Sequence, residues 1–103
     1  MPEFGTSFSG LAAGRKLTEA ELIRAIRFMI AAEYEAVQLY MQLAESTDNT
    51  LAATVLDDIA DEELVHAGEF MRLLKELAPG EEELYREGIK EVEEIIDDIK
   101  RKN

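Results

Sequence analysis

His66, the only histidine of this 103-residue chain, follows Glu63 by three positions in Glu62-Glu63-Leu64-Val65-His66. On an α-helix that spacing is about 60° around the axis and roughly 4.5 Å along it, so a carboxylate and an imidazole converge on one point beside the helix. Such a pair is a ligand set for a cation. Oxygen-rich ligands with one imidazole suit iron or manganese, while a softer ion such as zinc could occupy the site without turning over. A third candidate, Glu33, stands in an otherwise apolar heptad stripe running Leu22, Ile26, Met29, Glu33, Ala36, Tyr40, Leu43. Glu63 and His66 interrupt a second such stripe, Leu56, Ile59, Glu63, His66, Phe70, Leu73, Leu77. Apolar residues alternating by four and three bury against neighbouring helices, and an unpaired carboxylate there costs several kcal/mol. Three polar groups at those positions require compensation.

The polar stretch Ser46-Thr47-Asp48-Asn49-Thr50 separates the two stripes and is built of turn and N-cap residues. A hairpin turning near Asp48 leaves Glu33 and Glu63 equally far from the turn, and antiparallel helices then hold them at one height. One carboxylate from one helix and a Glu-x-x-His from the other make half of the carboxylate-bridged di-metal site of ferritin-like bundles. The complete site takes four helices, so two copies must combine about a twofold axis, where four carboxylates balance two divalent cations. The competing reading is an ion pair in which protonated His66 bridges both glutamates. Two carboxylates against one imidazolium leave a net negative charge, and neither stripe contains a Lys or Arg to cancel it.

The elements that must position these groups are three helices, expected at about 18–46, 50–77 and 81–101. Thr18-Glu19-Ala20-Glu21 has capping-box spacing, Pro79-Gly80 ends the second helix, and Glu81-Glu82-Glu83 suits the positive end of a third. The third carries its own stripe, Tyr85, Ile89, Val92, Ile96 and Ile99, which a neighbouring subunit is expected to cover. Residues 1–17, with Gly5, Gly10 and Gly14 and no periodicity, are expected to form a flexible N-terminal arm, leaving 18–103 as one helical domain. The fold class is therefore all-α: an antiparallel two-helix hairpin plus a C-terminal helix, dimerising into a four-helix ferritin-like bundle. Two or three helices alone enclose a thin core, which again favours a homo-oligomer.

A net charge of -12 argues against nucleic acid as a partner and fits attraction of cations. Without Cys there is no disulfide, iron–sulfur cluster or rubredoxin-type centre. The apolar runs are far below membrane-spanning length and no secretory core is present at the N-terminus, so no membrane association and a cytoplasmic location are expected. Glu35, Glu62 and Glu69 lie off the stripes and are expected to be solvated; at most they guide cations toward the stripes, Glu35 and Glu62 foremost.

The segments Glu33-Tyr34-Glu35-Ala36-Val37-Gln38-Leu39-Tyr40, Glu45-Ser46-Thr47-Asp48 and Asp61-Glu62-Glu63-Leu64-Val65-His66-Ala67 together resemble the encapsulated ferritins, half-length relatives of ferritin and rubrerythrin. The likeness runs from Leu17 to Leu77. It implies that Glu33, Glu63 and His66 are iron ligands and that Tyr40 is the tyrosine standing behind them; these four are the catalytic candidates. It further implies a ferroxidase with a di-iron centre, two ions per dimer, between subunits that assemble into a ring, by resemblance a decamer. Fe(II) and oxygen or peroxide would be the reactants, and an encapsulin shell protein the partner that stores the product in a cytoplasmic nanocompartment. Two departures stand out: Ala32 replaces a carboxylate of the family's iron-entry positions, and the chain closes on Ile99-Lys100-Arg101-Lys102-Asn103 in place of an apolar docking tail. The tail fits a shortened chain, fusion to a shell protein or another docking signal. Two other uses of the metals are rubrerythrin-like peroxide reduction, which without Cys needs an external electron donor, and manganese-catalase-like dismutation. A metal-free helical adaptor is the alternative of a different class.

Overall fold

The computed structural model describes residues 14–103. Among them are three helices and no strand: α1 (Glu19–Glu45), α2 (Thr50–Leu77) and α3 (Glu81–Lys102). The N-terminal arm expected over residues 1–17 lies outside the described residues as far as residue 13.

Local chemistry sets the helix ends. At the start of α1 the Glu21 N–H donates to the Thr18 hydroxyl at 3.2 Å and the Thr18 N–H donates to the Glu21 carboxylate at 2.8 Å, a reciprocal capping box. Arg15 donates two hydrogen bonds of 2.7 Å to the same carboxylate. After Ser46 ends α1, the Asn49 side chain accepts from the Ala52 N–H at 2.9 Å and opens α2. The first turn of α3 holds Glu81, Glu82 and Glu83 and its last turn Lys100, Arg101 and Lys102, both favourable for the helix dipole.

The Arg15 guanidinium, and after it the Thr18 N–H, pushes the Glu21 carboxyl down to about 2. A carboxyl with a lowered folded-state pKa stabilises the helix start fully at pH values above its unfolded value of about 4.3, and that contribution fades as pH falls toward 2. Side-chain NMR titration should place the Glu21 midpoint about two units below that of the exposed glutamates, and Arg15→Ala should move it back toward them. An unchanged midpoint in the variant would assign the shift to the cap alone.

α1 and α2 pack along each other as an antiparallel hairpin. The closest part of the seam rests on Ile26, Val37 and Ala44 of α1 and on Ala60, Ala67 and Leu74 of α2. This differs from the stripes counted in the sequence, of whose members only Ile26 is buried, while Leu43 and Leu73 are exposed. The reason is size. Small residues let the two backbones approach, so the alanines sit at the centre of the seam and the larger apolar residues flank it. The counted stripes mark one flank, and the flank stays open in a single chain.

α3 does not pack along the hairpin. Its first turn is tethered by an ion pair from Arg27 to Glu81, which also accepts from the Tyr85 hydroxyl, and no residue of α3 is buried. The radius of gyration of 18.3 Å reflects this open shape, since a compact domain of this length measures about 13 Å. Leu84, Ile89, Val92, Ile95 and Ile99 each expose more than half of their surface. No helix among the described residues is long and apolar enough to cross a membrane.

Candidate metal centre

Glu33 sits midway along α1, and Glu63 and His66 lie one turn apart on α2. The antiparallel register brings the three to one level, where one ligand atom from each lies within 4.8 Å of the others. The His66 Nδ1 is 3.5 Å from Glu63 Oε2 and 3.6 Å from Glu33 Oε2. Those distances are long for hydrogen bonds. They are close to the roughly 3.0–3.5 Å that separates two donor atoms bound about 2.1 Å from one ion.

Their surroundings differ. The Glu33 and Glu63 side chains are 19% and 18% exposed, while that of His66 is 49% exposed and stands at the edge of the hairpin. The expectation of a histidine buried on the seam is corrected here. One turn of helix separates Glu63 from His66, but the rotation that places Glu63 beside the seam carries His66 to its open flank. Ala67, its neighbour, takes the seam position with 1% exposure.

Two observations test whether a cation fits this group. Glu33 Oε2 is buried and accepts no hydrogen bond, which for a carboxylate oxygen is an uncompensated loss of hydration. No Lys or Arg pairs with Glu33 or Glu63 among the described residues, so the two negative charges face a single imidazole. Glutamate oxygens and one ring nitrogen turned toward each other, with charge left over, suit a hard or borderline divalent ion. A shallow depression lined by Glu33, His66, Glu69 and Phe70 opens onto the group from solvent.

The other sequence candidates fall outside the cluster. Tyr40, partly buried and two turns beyond Glu33, makes no hydrogen bond to the three. Glu35 is about 200° around α1 from Glu33, on the side away from the seam, and Glu62 is exposed beside Glu63. Glu69, read from the sequence as an off-stripe residue that at most guides ions, lines the depression over the cluster. It follows His66 by the same three-residue step that joins His66 to Glu63, so the spacing already placed it near the depression.

Comparison with known proteins agrees with this architecture. A sequence model of the Rubrerythrin family matches residues 11–102. A ferritin-like-encapsulin shell fusion protein of Pyrococcus furiosus is 38% identical over 78 residues, 76% of this chain and 23% of that protein. An encapsulin nanocompartment cargo protein, EncC of Myxococcus xanthus, is 43% identical over 65 residues, 63% of this chain and 50% of that one. The chain thus spans no more than half the length of either curated relative. The crystal structure of the encapsulated ferritin domain from Pyrococcus furiosus superposes with a TM-score of 0.75 at 38% identity, covering 78% of this chain and 82% of that one. A match over nearly the whole sequence, with a solved relative covered over most of its length, shows that this chain belongs to the rubrerythrin family and, within it, to the encapsulated ferritins.

Proposed function

We propose that the chain is a ferroxidase that oxidises Fe(II) to Fe(III) at a di-iron centre shared by two copies, and passes the product to storage inside an encapsulin shell. The observation that carries this reading is the buried, unpartnered Glu33 Oε2 facing Glu63 and His66 on the open flank of the hairpin. One chain offers two carboxylates and one imidazole, too few for two ions. A second copy laid against the same flank doubles the set to four carboxylates and two imidazoles, and their four negative charges match two Fe(II).

The residues divide the work by position. His66, Glu33 and Glu63 of the two chains together would hold the two substrate ions, the imidazoles and carboxylates supplying the ligands and the surplus carboxylate charge keeping the ions close. Each Fe(II) gives up one electron. With two protons these convert O2 to hydrogen peroxide, or hydrogen peroxide to two waters, and two Fe(III) leave. Tyr40, Glu35 and Glu62 stand outside this set: a place for Tyr40 behind the ligands rests on the family resemblance alone, and the two glutamates draw cations by charge alone. The shell partner and a location within the nanocompartment rest on what the two curated relatives are named for, and the ring-shaped assembly rests on the family resemblance alone.

Oxygen consumption after adding Fe(II) to the full chain, read together with native mass spectra, tests the proposal. Wild type should consume oxygen and gain two irons per pair of chains, and His66→Ala should lose both. A His66→Ala variant that oxidises iron as fast as wild type would remove the proposal. Peroxide turnover without iron oxidation would convert it to a peroxidase, and a protein that takes up no metal in excess Fe(II) would be an adaptor.

A further inference from the structure

His66 has two ring nitrogens, and the cluster with Glu33 and Glu63 uses one. Nδ1 is turned toward the two carboxylates, 3.6 Å from Glu33 Oε2 and 3.5 Å from Glu63 Oε2. The nitrogens of an imidazole point in nearly opposite directions, so Nε2 is directed away from the glutamates and toward the open flank. A neutral imidazole that gives its Nδ1 lone pair to an ion keeps its proton on Nε2. That N–H needs an acceptor, because the hydrogen bond made by one nitrogen sets which nitrogen the ion takes and how the ring is turned.

Glu69 is the acceptor within reach. Glu63, His66 and Glu69 follow one another at three-residue steps, and each step turns the side chain about 60° further from the seam. Exposure rises along the same series, from Glu63 to the half-exposed His66 to the exposed Glu69. Helical side chains lean back toward the N-terminus, so the Glu69 carboxylate lies over the turn that bears His66. Both residues line the depression that opens onto Glu33, and the remaining wall, Phe70, offers no acceptor. Nor is Glu69 committed elsewhere. Arg72, at the next three-residue step, donates to Glu76 at 3.1 Å, and among the described residues Glu69 takes part in no hydrogen bond or ion pair.

We propose that Glu69 is a positioning residue of the metal centre: its carboxylate accepts the hydrogen bond from His66 Nε2–H and holds the ring with Nδ1 toward the ion. Glu69 does not itself touch the ion. A carboxylate in that place also makes the imidazole a more basic and tighter ligand. The inference rests on the proposed binding of a divalent cation by Glu33, Glu63 and His66, and not on the oxidation of iron.

Zn2+, which binds without redox change, is the probe. Calorimetric titration of the full-length protein, with folding checked by circular dichroism, should find Glu69→Leu binding Zn2+ about 10–100-fold more weakly than wild type. Glu69→Gln, whose amide oxygen still accepts, should recover most of that loss. Because His66 is the only histidine, isotopic labelling of histidine reports on one imidazole by NMR. The Zn2+-loaded wild type should carry the metal on Nδ1 and the proton on Nε2, and Glu69→Leu should add a population with the two exchanged. A merely structural effect would not exchange them. Wild-type affinity in Glu69→Leu, zinc on Nε2 in the wild type, or a Glu69→Gln as weak as Glu69→Leu would each overturn the role. A wild type that binds no Zn2+ would remove the metal centre and this inference together. Zn2+ binding with the expected signature, in a protein that consumes no oxygen with Fe(II), would remove the ferroxidase and leave Glu69 in its role.

Discussion

Glu33→Leu should make the metal-free protein more stable and leave it unable to oxidise iron. The wild-type carboxylate has an oxygen cut off from water with no hydrogen bond in return, and leucine of similar length removes that loss and adds apolar contact in its place. Since the side chain retains 19% exposure, the gain is about 1–2 kcal/mol, or roughly 4–10 °C in Tm for a domain of this size. Excess Fe(II) reverses the order, because binding to the folded form raises the wild-type Tm and not that of the variant. Thermal melts with chelator and with anaerobic Fe(II), beside oxygen uptake, check both signs. A Glu33→Leu protein that melts several degrees lower with chelator would show that the carboxylate has a structural partner and is not held there for a cation.

The second large effect lies at the neighbours Ala67 and Gly68, which should respond in opposite directions. Ala67 is 1% exposed at the centre of the seam, where the two helix backbones approach. Ala67→Leu forces three further carbons between them and should cost about 1–3 kcal/mol, a large part of what a thin two-helix core supplies. Gly68 is one residue and 100° further round, exposed, with nothing within 4 Å of a new Cβ. Gly68→Ala should stabilise α2 by roughly 0.5–1 kcal/mol through helix propensity alone. Urea denaturation of both variants measures the pair; equal destabilisation would mean that Gly68 is also a packing position, covered by another chain.

These two residues also show what could be read from the sequence and what could not. The helices and their connection were legible because Thr18, Glu21 and Asn49 are capping residues, and because two stripes on either side of a polar turn fix an antiparallel register. That register alone puts Glu33 level with Glu63. The centre of the seam was not legible, because counting large apolar residues passes over Ala44, Ala60 and Ala67, whose small size is what brings the helices together. For the same reason the stripe through His66 looked like a buried seam when it is the flank beside one. Nor does an amphipathic pattern say what will cover it. α3 advertised an apolar face, but among the described residues the only part of it tied to the hairpin is its first turn, through an Arg27–Glu81 ion pair whose partners are 54 positions apart in sequence.

The half-exposed His66 has one further consequence for the proposed ferroxidase. If each chain carries only part of a coordination sphere, loading and association are one linked equilibrium: metal tightens the pair, and pairing tightens the metal by the same factor. Dilution should then silence the enzyme more steeply than in proportion to its amount. Confinement at high local concentration would sustain turnover that the same number of chains, dispersed, could not.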